Sequence, residues 1–318
     1  GTVLDRQGEP PRNFEQYILH HFGAGIARHF MVPYNAKLWG VHPREITSAW
    51  CSRFVPTPSL EQVLAGAVGA GPPELGYNVS FYYPRTGGIE TFSRALAGQL
   101  DPQGVRLGVE VEAVDPDART VSFGGQTVRY HALVSTMPLP DLVDRIADPP
   151  GAVAEAASGL RATTLRYLNV ATSARPPADY HWVYVPEERL PFYRVGVFSN
   201  AVPAMAPPGC ASLYVELASR EQTDREQLLR DVLPGLVEVG AMGSARELRF
   251  ADVRTISHAY VVFDEAYEGA LATIFDYLER HRIYSRGRYG SWIYNSMEDS
   301  LIAGKDVAAA VDALDDGP

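Results

Sequence analysis

The sequence has little of what several function classes require. Its 2 cysteines, Cys51 and Cys210, are too few for a disulfide framework and lack metal-ligand spacing. That usage fits a reducing compartment, so a cytoplasmic location is expected. Basic residues are in deficit: 28 Lys plus Arg against 38 Asp plus Glu gives a net charge of −10. No surplus is left to displace counterions, and no nucleic-acid partner is expected. No run approaches the roughly eighteen apolar residues of a membrane span, and no signal-peptide pattern opens the chain. The 8 histidines, His20-His21 included, show no HExxH or paired-ligand spacing, so no metal is expected. No GxSxG elbow supplies a hydrolase nucleophile. Gly23-Ala24-Gly25 lacks a third glycine and a preceding strand, so it is no dinucleotide fingerprint. The chain opens on Gly1 inside a polar stretch, and the expectation is a fragment.

What is present is a globular composition, 46% hydrophobic and 21% charged over 318 residues, enough for roughly two domains of about 150 residues. Asn13 with Gln16 reads as a capping box. Phe14, Tyr17, Ile18, Phe22, Ile26 and Phe30 follow at helical spacing, and Pro33-Tyr34-Asn35 is expected to end that helix. A short capped helix begins after Ser59, and another carries Phe92, Leu96 and Leu100. From Val105 the period becomes two: strands are expected over Val109–Val114, Thr120–Phe123, Val128–Tyr130 and Ala132–Thr136. A helix over Pro149–Leu160 precedes strands at Leu165–Thr172, Trp182–Val185, Tyr193–Ser199 and Ser212–Leu217. Helices over Asp224–Val239 and Glu265–His281 flank a strand-like Glu247–Tyr260, and a last helix follows a glycine-rich loop over Arg286–Tyr294. No internal repeat appears. The alternation points to α/β (α+β) with two intertwined lobes.

Three segments carry candidate chemistry. In Gly287-Arg288-Tyr289-Gly290-Ser291-Trp292-Ile293-Tyr294, two glycines permit close backbone approach and Arg288 offers a fork of donors suited to phosphate. The following helix would aim its N-terminal amides at an anion or an electron-rich ring. The bland alternative is a surface glycine turn with a structural arginine. In Trp182–Val185 and Pro191–Asn200, Arg194 lies between aromatic neighbours on a strand, a setting for a diphosphate or simply a sheet edge. In Phe30–Trp39, Asn35 and Trp39 follow a buried helix and would line a cleft.

Together with Phe81–Ile89 (FYYPRTGGI) and Val134–Met137 (VSTM), these segments resemble the UDP-galactopyranose mutases, closest to the eukaryotic type, from about Asn13 to Val311. The YPRTGGI and VSTM motifs are shared with flavin amine oxidases and protoporphyrinogen oxidases. The resemblance implies FAD, used in its reduced form, and a nucleotide-linked hexose as substrate. The implied reaction is a ring contraction without net redox change. The family's GxGxxG unit is not found in this sequence, so the FAD site is expected to be incomplete. By resemblance, Arg194 and Arg288 are catalytic diphosphate donors; Tyr184, Tyr267 and Tyr294 contact phosphate; Asn35, Trp39, Arg53 and Asn78 line the sugar and flavin face. Cofactor contacts fall at Arg85, Gly87, Gly88, Val111, Arg288, Ser296, Met297 and Ser300. Ala201 replaces a tyrosine of the eukaryotic pattern, and Ser296-Met297 replaces an Asn-Gln pair.

The expected organisation is an incomplete two-lobe flavoprotein fold. It comprises a mainly helical part of the substrate lobe (1–83), the second half of an FAD-binding domain (84–147), a mixed-sheet substrate domain (148–284) and a C-terminal cofactor-contacting loop and helix (285–318). The expected function is a flavin-dependent pyranose–furanose mutase. The alternatives are an FAD-dependent oxidoreductase of the amine oxidase or protoporphyrinogen oxidase type, which needs an apolar tunnel, and a non-enzymatic binding module.

Overall fold

A computed structural model of the chain describes residues 10–51, 55, 57, 59–70, 82–218 and 224–314. The helices, in chain order, are α1 (Phe14–Ile26), α2 (Val32–Trp39), α3 (Leu60–Ala67), α4 (Glu90–Ala97), α5 (Leu139–Asp144), α6 (Gly151–Gly159), α7 (Phe198–Ala201), α8 (Arg225–Glu238), α9 (Tyr267–Arg280), α10 (Gly287–Gly290) and α11 (Met297–Asp312). The strands are β1 (Ala113–Asp115), β2 (Thr120–Phe123), β3 (Gln126–Arg129), β4 (Leu133–Ser135), β5 (Ala162–Thr172), β6 (Trp182–Tyr184), β7 (Phe192–Val197), β8 (Ala211–Leu217), β9 (Leu248–Val261) and β10 (Ile283–Ser285). The result is an α/β fold, as its residue pattern implies. No described helix is long and apolar enough to cross a membrane.

The chain divides into two compact units. The first comprises residues 1–100 and 164–257, the second residues 101–163 and 258–318. The chain passes between them within β5 and β9.

In the first unit, Asn13 caps α1 by accepting from the Gln16 amide at 2.9 Å, and Phe14, Tyr17 and Ile18 are buried. Gly23 takes φ 77° and kinks the helix. The expected stop at Pro33 does not occur. A π-helical turn over Ala27–Met31 leads directly into α2, and Pro33 sits in its first turn, where the missing N–H needs no helical partner. The helix ends instead at Gly40, in the left-handed region at φ 62°.

The main sheet runs β6-β7-β8-β5-β9, with β6–β7, β7–β8 and β8–β5 antiparallel. Its two faces differ because side chains alternate along each strand. On one face Leu168, Val170, Val195, Val197, Leu213, Val215 and Leu217 bury against Leu228, Val232 and Leu236 of α8. Each such side chain contributes roughly 1.5–3 kcal/mol on burial. Asp224 starts α8 by accepting from the Glu226 and Gln227 amides. Gly235 brings the helix so close that a Cβ there would lie 2.8 Å from the Phe192 ring. The opposite face carries polar and aromatic residues.

In the second unit β1, β2 and β3 form an antiparallel meander. The expected strand through Val109 and Val111 begins only at Ala113. Residues 105–111 lie outside any strand, with Val105, Leu107 and Val109 exposed. β10, unforeseen in the sequence, pairs in parallel with β4: Ser285 lies opposite Ser135. Val134, in the middle of β4, is 43% exposed.

Candidate functional site

On the polar face of the main sheet, Tyr184, Arg194 and Glu216 form one row across β6, β7 and β8: Tyr184 is the register partner of Arg194, and Arg194 of Glu216. Period-2 alternation on strands whose other face is apolar puts all three on the same side. Arg194 donates through Nη2 to Glu216 Oε1, so the guanidinium carries a carboxylate partner. Glu216 is 5% exposed, and its Oε2 is buried without a hydrogen-bond partner among the described residues. The Arg194 guanidinium also stands over the Tyr214 ring, 6.0 Å from its centroid. That ring covers Gly196, its cross-strand partner, leaving no room for a Cβ there. Burial raises the Tyr214 pKa, and Arg194 opposes the rise. Tyr184 is 42% exposed and forms the accessible end of the row.

The α2 helix fixes the edge of this sheet. Lys37 Nζ donates to the carbonyls of Val185 at 3.0 Å, Glu187 at 2.8 Å and Phe192 at 2.6 Å, using all three ammonium donors. Burial pulls its pKa down to about 8, against the opposing pull of Glu187 and Glu188. Tyr34 meets Tyr184 edge-on at 5.0 Å, and Phe30 lies 6.4 Å from the same ring. Asn35 is buried and donates back to Met31 O at 2.7 Å within its own helix. Trp39 is buried edge-on to Trp50. Arg85 and Gly87 lie on an exposed turn. Gly87 and Gly88 take φ 81° and 70°, conformations that glycine adopts without steric cost. Arg53 and Asn78 lie outside the described residues.

In the second unit Arg288 donates to Asn295 O at 3.0 Å and Ala259 O at 2.9 Å. Its guanidinium lies 4.7 Å from the Tyr294 ring centroid and 5.7 Å from that of Tyr260, a cation–π setting. These partners are neutral, so the Arg288 charge is uncompensated by any ion pair among the described residues. Next to it, Trp292 is 1% exposed and holds φ 52°. That is a costly conformation for a bulky residue. Tyr267 pins it by donating to Trp292 O at 2.7 Å. Burial pushes the Tyr267 phenol up to about 12. Trp292 Nε1 and Asn295 Oδ1 are buried without hydrogen-bond partners among the described residues.

Ser296, Met297 and Ser300 fall at the start of α11. Ser296 accepts from the Asp299 amide while the Asp299 carboxylate accepts from the Ser296 amide. Ser300 Oγ donates back to Ser296 O. With Glu298 and Asp299 in the first turn, the helix terminus already holds acidic side chains against its dipole. Val111 is half-buried, and its carbonyl accepts from Arg145 Nε at 2.8 Å. Glu216, Tyr214, Lys37 and Tyr260 escaped the sequence reading. The signal for Glu216 and Tyr214 was available in Ser212-Leu213-Tyr214-Val215-Glu216-Leu217, whose even-numbered polar positions mark one face. Among the described residues, no group of three His, Cys, Asp or Glu side chains could hold a metal.

The sequence pattern of the family described as flavin containing amine oxidoreductase matches residues 14–312. Among solved structures, a reduced UDP-galactopyranose mutase aligns with a TM-score of 0.88 and 27% identity, covering 98% of this chain and 70% of that one. A redesigned putrescine oxidase aligns with a TM-score of 0.65 and 15% identity, over 95% of this chain and 68% of that one. Cyclohexylamine oxidase from Brevibacterium oxydans IH-35A gives 0.63 and 15%, over 95% and 67%. At such identities the two oxidases share the fold alone.

Proposed function

Because the chain belongs to the flavin containing amine oxidoreductase family, we propose that it is a flavin-dependent mutase acting on a nucleotide-linked hexose, UDP-galactose-like, with FAD as the flavin. Membership implies a flavin cofactor, and the residues of the second unit fit one. At the carboxyl ends of parallel β4 and β10, the opposed Ser135 and Ser285 hydroxyls are buried without hydrogen-bond partners among the described residues. Gly290 packs so closely on these strand ends that a Cβ there would lie 2.9 Å from Ser135 O and 3.0 Å from Ser285 Oγ. In open α/β sheets ligands lie at such strand ends. Arg288, Ser296, Met297 and Ser300 would hold the flavin, with Val111 on the nucleotide side; the resemblance also assigns Arg85, Gly87 and Gly88 to the cofactor.

Bound in its reduced form, the flavin would supply nucleophilic, electron-rich ring chemistry. The chain's own task is electrostatic. As the glycosidic bond breaks the diphosphate gains negative charge, and donors fixed in a low-dielectric site stabilise that charge more than they stabilise the ground state. The observation that carries the reading is Arg288, a guanidinium oriented by two carbonyls and two tyrosine rings whose charge no carboxylate among the described residues cancels. We assign Arg194 as the second donor, with Tyr184, Tyr267 and Tyr294 as phosphate contacts.

The test supplies FAD and dithionite anaerobically and follows UDP-galactopyranose against its furanose isomer by chromatography. Interconversion that drops roughly 10²-fold or more in Arg288→Ala supports the reading. The family description favours a second reading, an oxidoreductase acting on amines. Peroxide release from an amine under air, with no ring interconversion, would select it.

A further inference from the structure

We infer that a cavity in the first unit, where β7 ends and β8 begins, is a second ligand site, built for a small organic acid with Arg175 as its anion donor. Neither the site nor its test depends on the mutase reading.

The cavity, of about 520 Å³, is lined by Arg175, by Ser199 and Asn200 of α7, and by most of the segment from Pro203 to Cys210 that leads into β8. That size suits a small molecule. It lies away from the Arg194 row: about 17 Å of extended strand separates Ala211, the first residue of β8, from Glu216.

The residues dictate the walls. Pro207-Pro208-Gly209-Cys210 has the pattern of a type II turn, with proline second and glycine third. Gly209 takes φ 81°, and the Cys210 amide donates to Pro207 O at 3.0 Å. Pro203, Pro207 and Pro208 each have φ locked by the ring and carry no N–H. With Ala204 and Ala206 they make a stiff, carbon-rich wall. Asn200 spends both amide hydrogens on Ala178 O at 3.1 Å and Tyr180 O at 3.0 Å, so it holds the wall in place rather than donating to a ligand.

Two donors remain. Backbone bonds on both sides fix Arg175: Ser173 N donates to Glu247 O at 2.8 Å, and Ala178 N to Gly240 O at 3.1 Å. Its guanidinium makes no hydrogen bond or ion pair among the described residues, so the charge is available to a ligand. Ser199 Oγ accepts from the Ser212 amide at 3.2 Å, and its proton has no acceptor among the described residues. A guanidinium fork beside a hydroxyl suits a carboxylate. The proline and alanine wall offers contact to an apolar body and nothing to the hydration shell of a bare inorganic anion.

Cys210 reports occupancy, because it lines the cavity and is partly exposed while Cys51 is buried. The experiment follows alkylation of Cys210 in the native protein by iodoacetamide, a neutral reagent, using mass spectrometry. The probe is 4-phenylbutyrate, added at constant ionic strength. Saturable protection at millimolar probe is expected, with the uncharged 4-phenylbutyramide needing at least about ten-fold more. Arg175→Ala should lose this preference for acid over amide. Arg175→Lys, which keeps the charge without the fork, should retain part of it.

No saturable protection of the wild type overturns the site, and that measurement needs no variant to fold. Equal protection by acid and amide overturns the anion's role, and an undiminished preference in Arg175→Ala overturns that of Arg175. Protection by inorganic phosphate equal to that by 4-phenylbutyrate overturns the organic class. Protection by UDP would merge the cavity with the nucleotide site and overturn its independence. Failure of ring interconversion leaves every one of these measurements unchanged, so the two readings fail separately.

Discussion

Gly196 and Tyr214 face each other across β7 and β8, and the tyrosine ring fills the space where a side chain on residue 196 would stand. Arg194 rests over that same ring. The glycine thus sets the height of the platform beneath the guanidinium. Gly196→Ala should displace the ring, cost about 1–3 kcal/mol as an overpacking change, and lower the urea midpoint. An unchanged midpoint would mean that the ring relocates freely.

Lys37 ties α2 to the β6–β7 hairpin through three carbonyls. Lys37→Met should leave them unsatisfied and cost about 1–3 kcal/mol. Its pH signature has a definite sign. The folded pKa, lowered to about 8 by burial, lies below the unfolded value of about 10.4. Between these values the unfolded chain binds more protons, so this group's contribution to stability rises with pH across that window. Urea midpoints at pH 8 and pH 10, wild type against Lys37→Met, isolate the effect; the same pH slope in both proteins would refute it.

Tyr267 behaves in the opposite sense. Burial pushes its phenol up to about 12, so its contribution is full below the unfolded value of about 10 and is lost as pH rises through about 12. Tyr267→Phe removes the bond to Trp292 O and should cost roughly 0.5–1.5 kcal/mol. It should also remove one high-pH step from the tyrosinate absorbance at about 295 nm. A titration with the same number of late steps in both proteins would count against this assignment.

The two thiols should differ. Cys51 is fully buried and burial pushes its pKa up to about 12, whereas Cys210 is partly exposed. A thiol reagent such as DTNB should modify one cysteine in the native protein and both in denaturant. Native Cys210→Ser should then be inert, and modification of that variant would show that Cys51 is reachable.

Much of this was legible in the residues. The hairpin carrying Tyr184 and Arg194 follows from two period-2 stretches, and the helices expected over Asp224–Val239 and Glu265–His281 are α8 and α9. Pro33 misled because a proline reads as a stop, yet at a helix start it is harmless, and the π-helical turn that makes it a start has no local signature. β10 is three residues long, too short to show a period, and exists because β4 lies beside it. Glu216 went unread because the alternating polar face of its strand shows an exposed or functional side only once the arginine opposite is known. The Arg288 bracket needed Ala259 and Tyr260, some thirty residues away, which only tertiary contact reveals.

The parallel pair of β4 and β10 has a practical consequence for handling the polypeptide. Parallel strands normally sit inside larger sheets covered on both faces, but among the described residues these two pair only with each other. Their outer edges keep backbone donors and acceptors in the geometry that templates strand addition. In the same unit, Val105, Leu107 and Val109 are separated by Arg106 and Gly108 on an exposed segment, Leu107 at 89% exposure. At high concentration such surfaces recruit one another. A charge placed at Leu107 is the natural way to keep such surfaces apart.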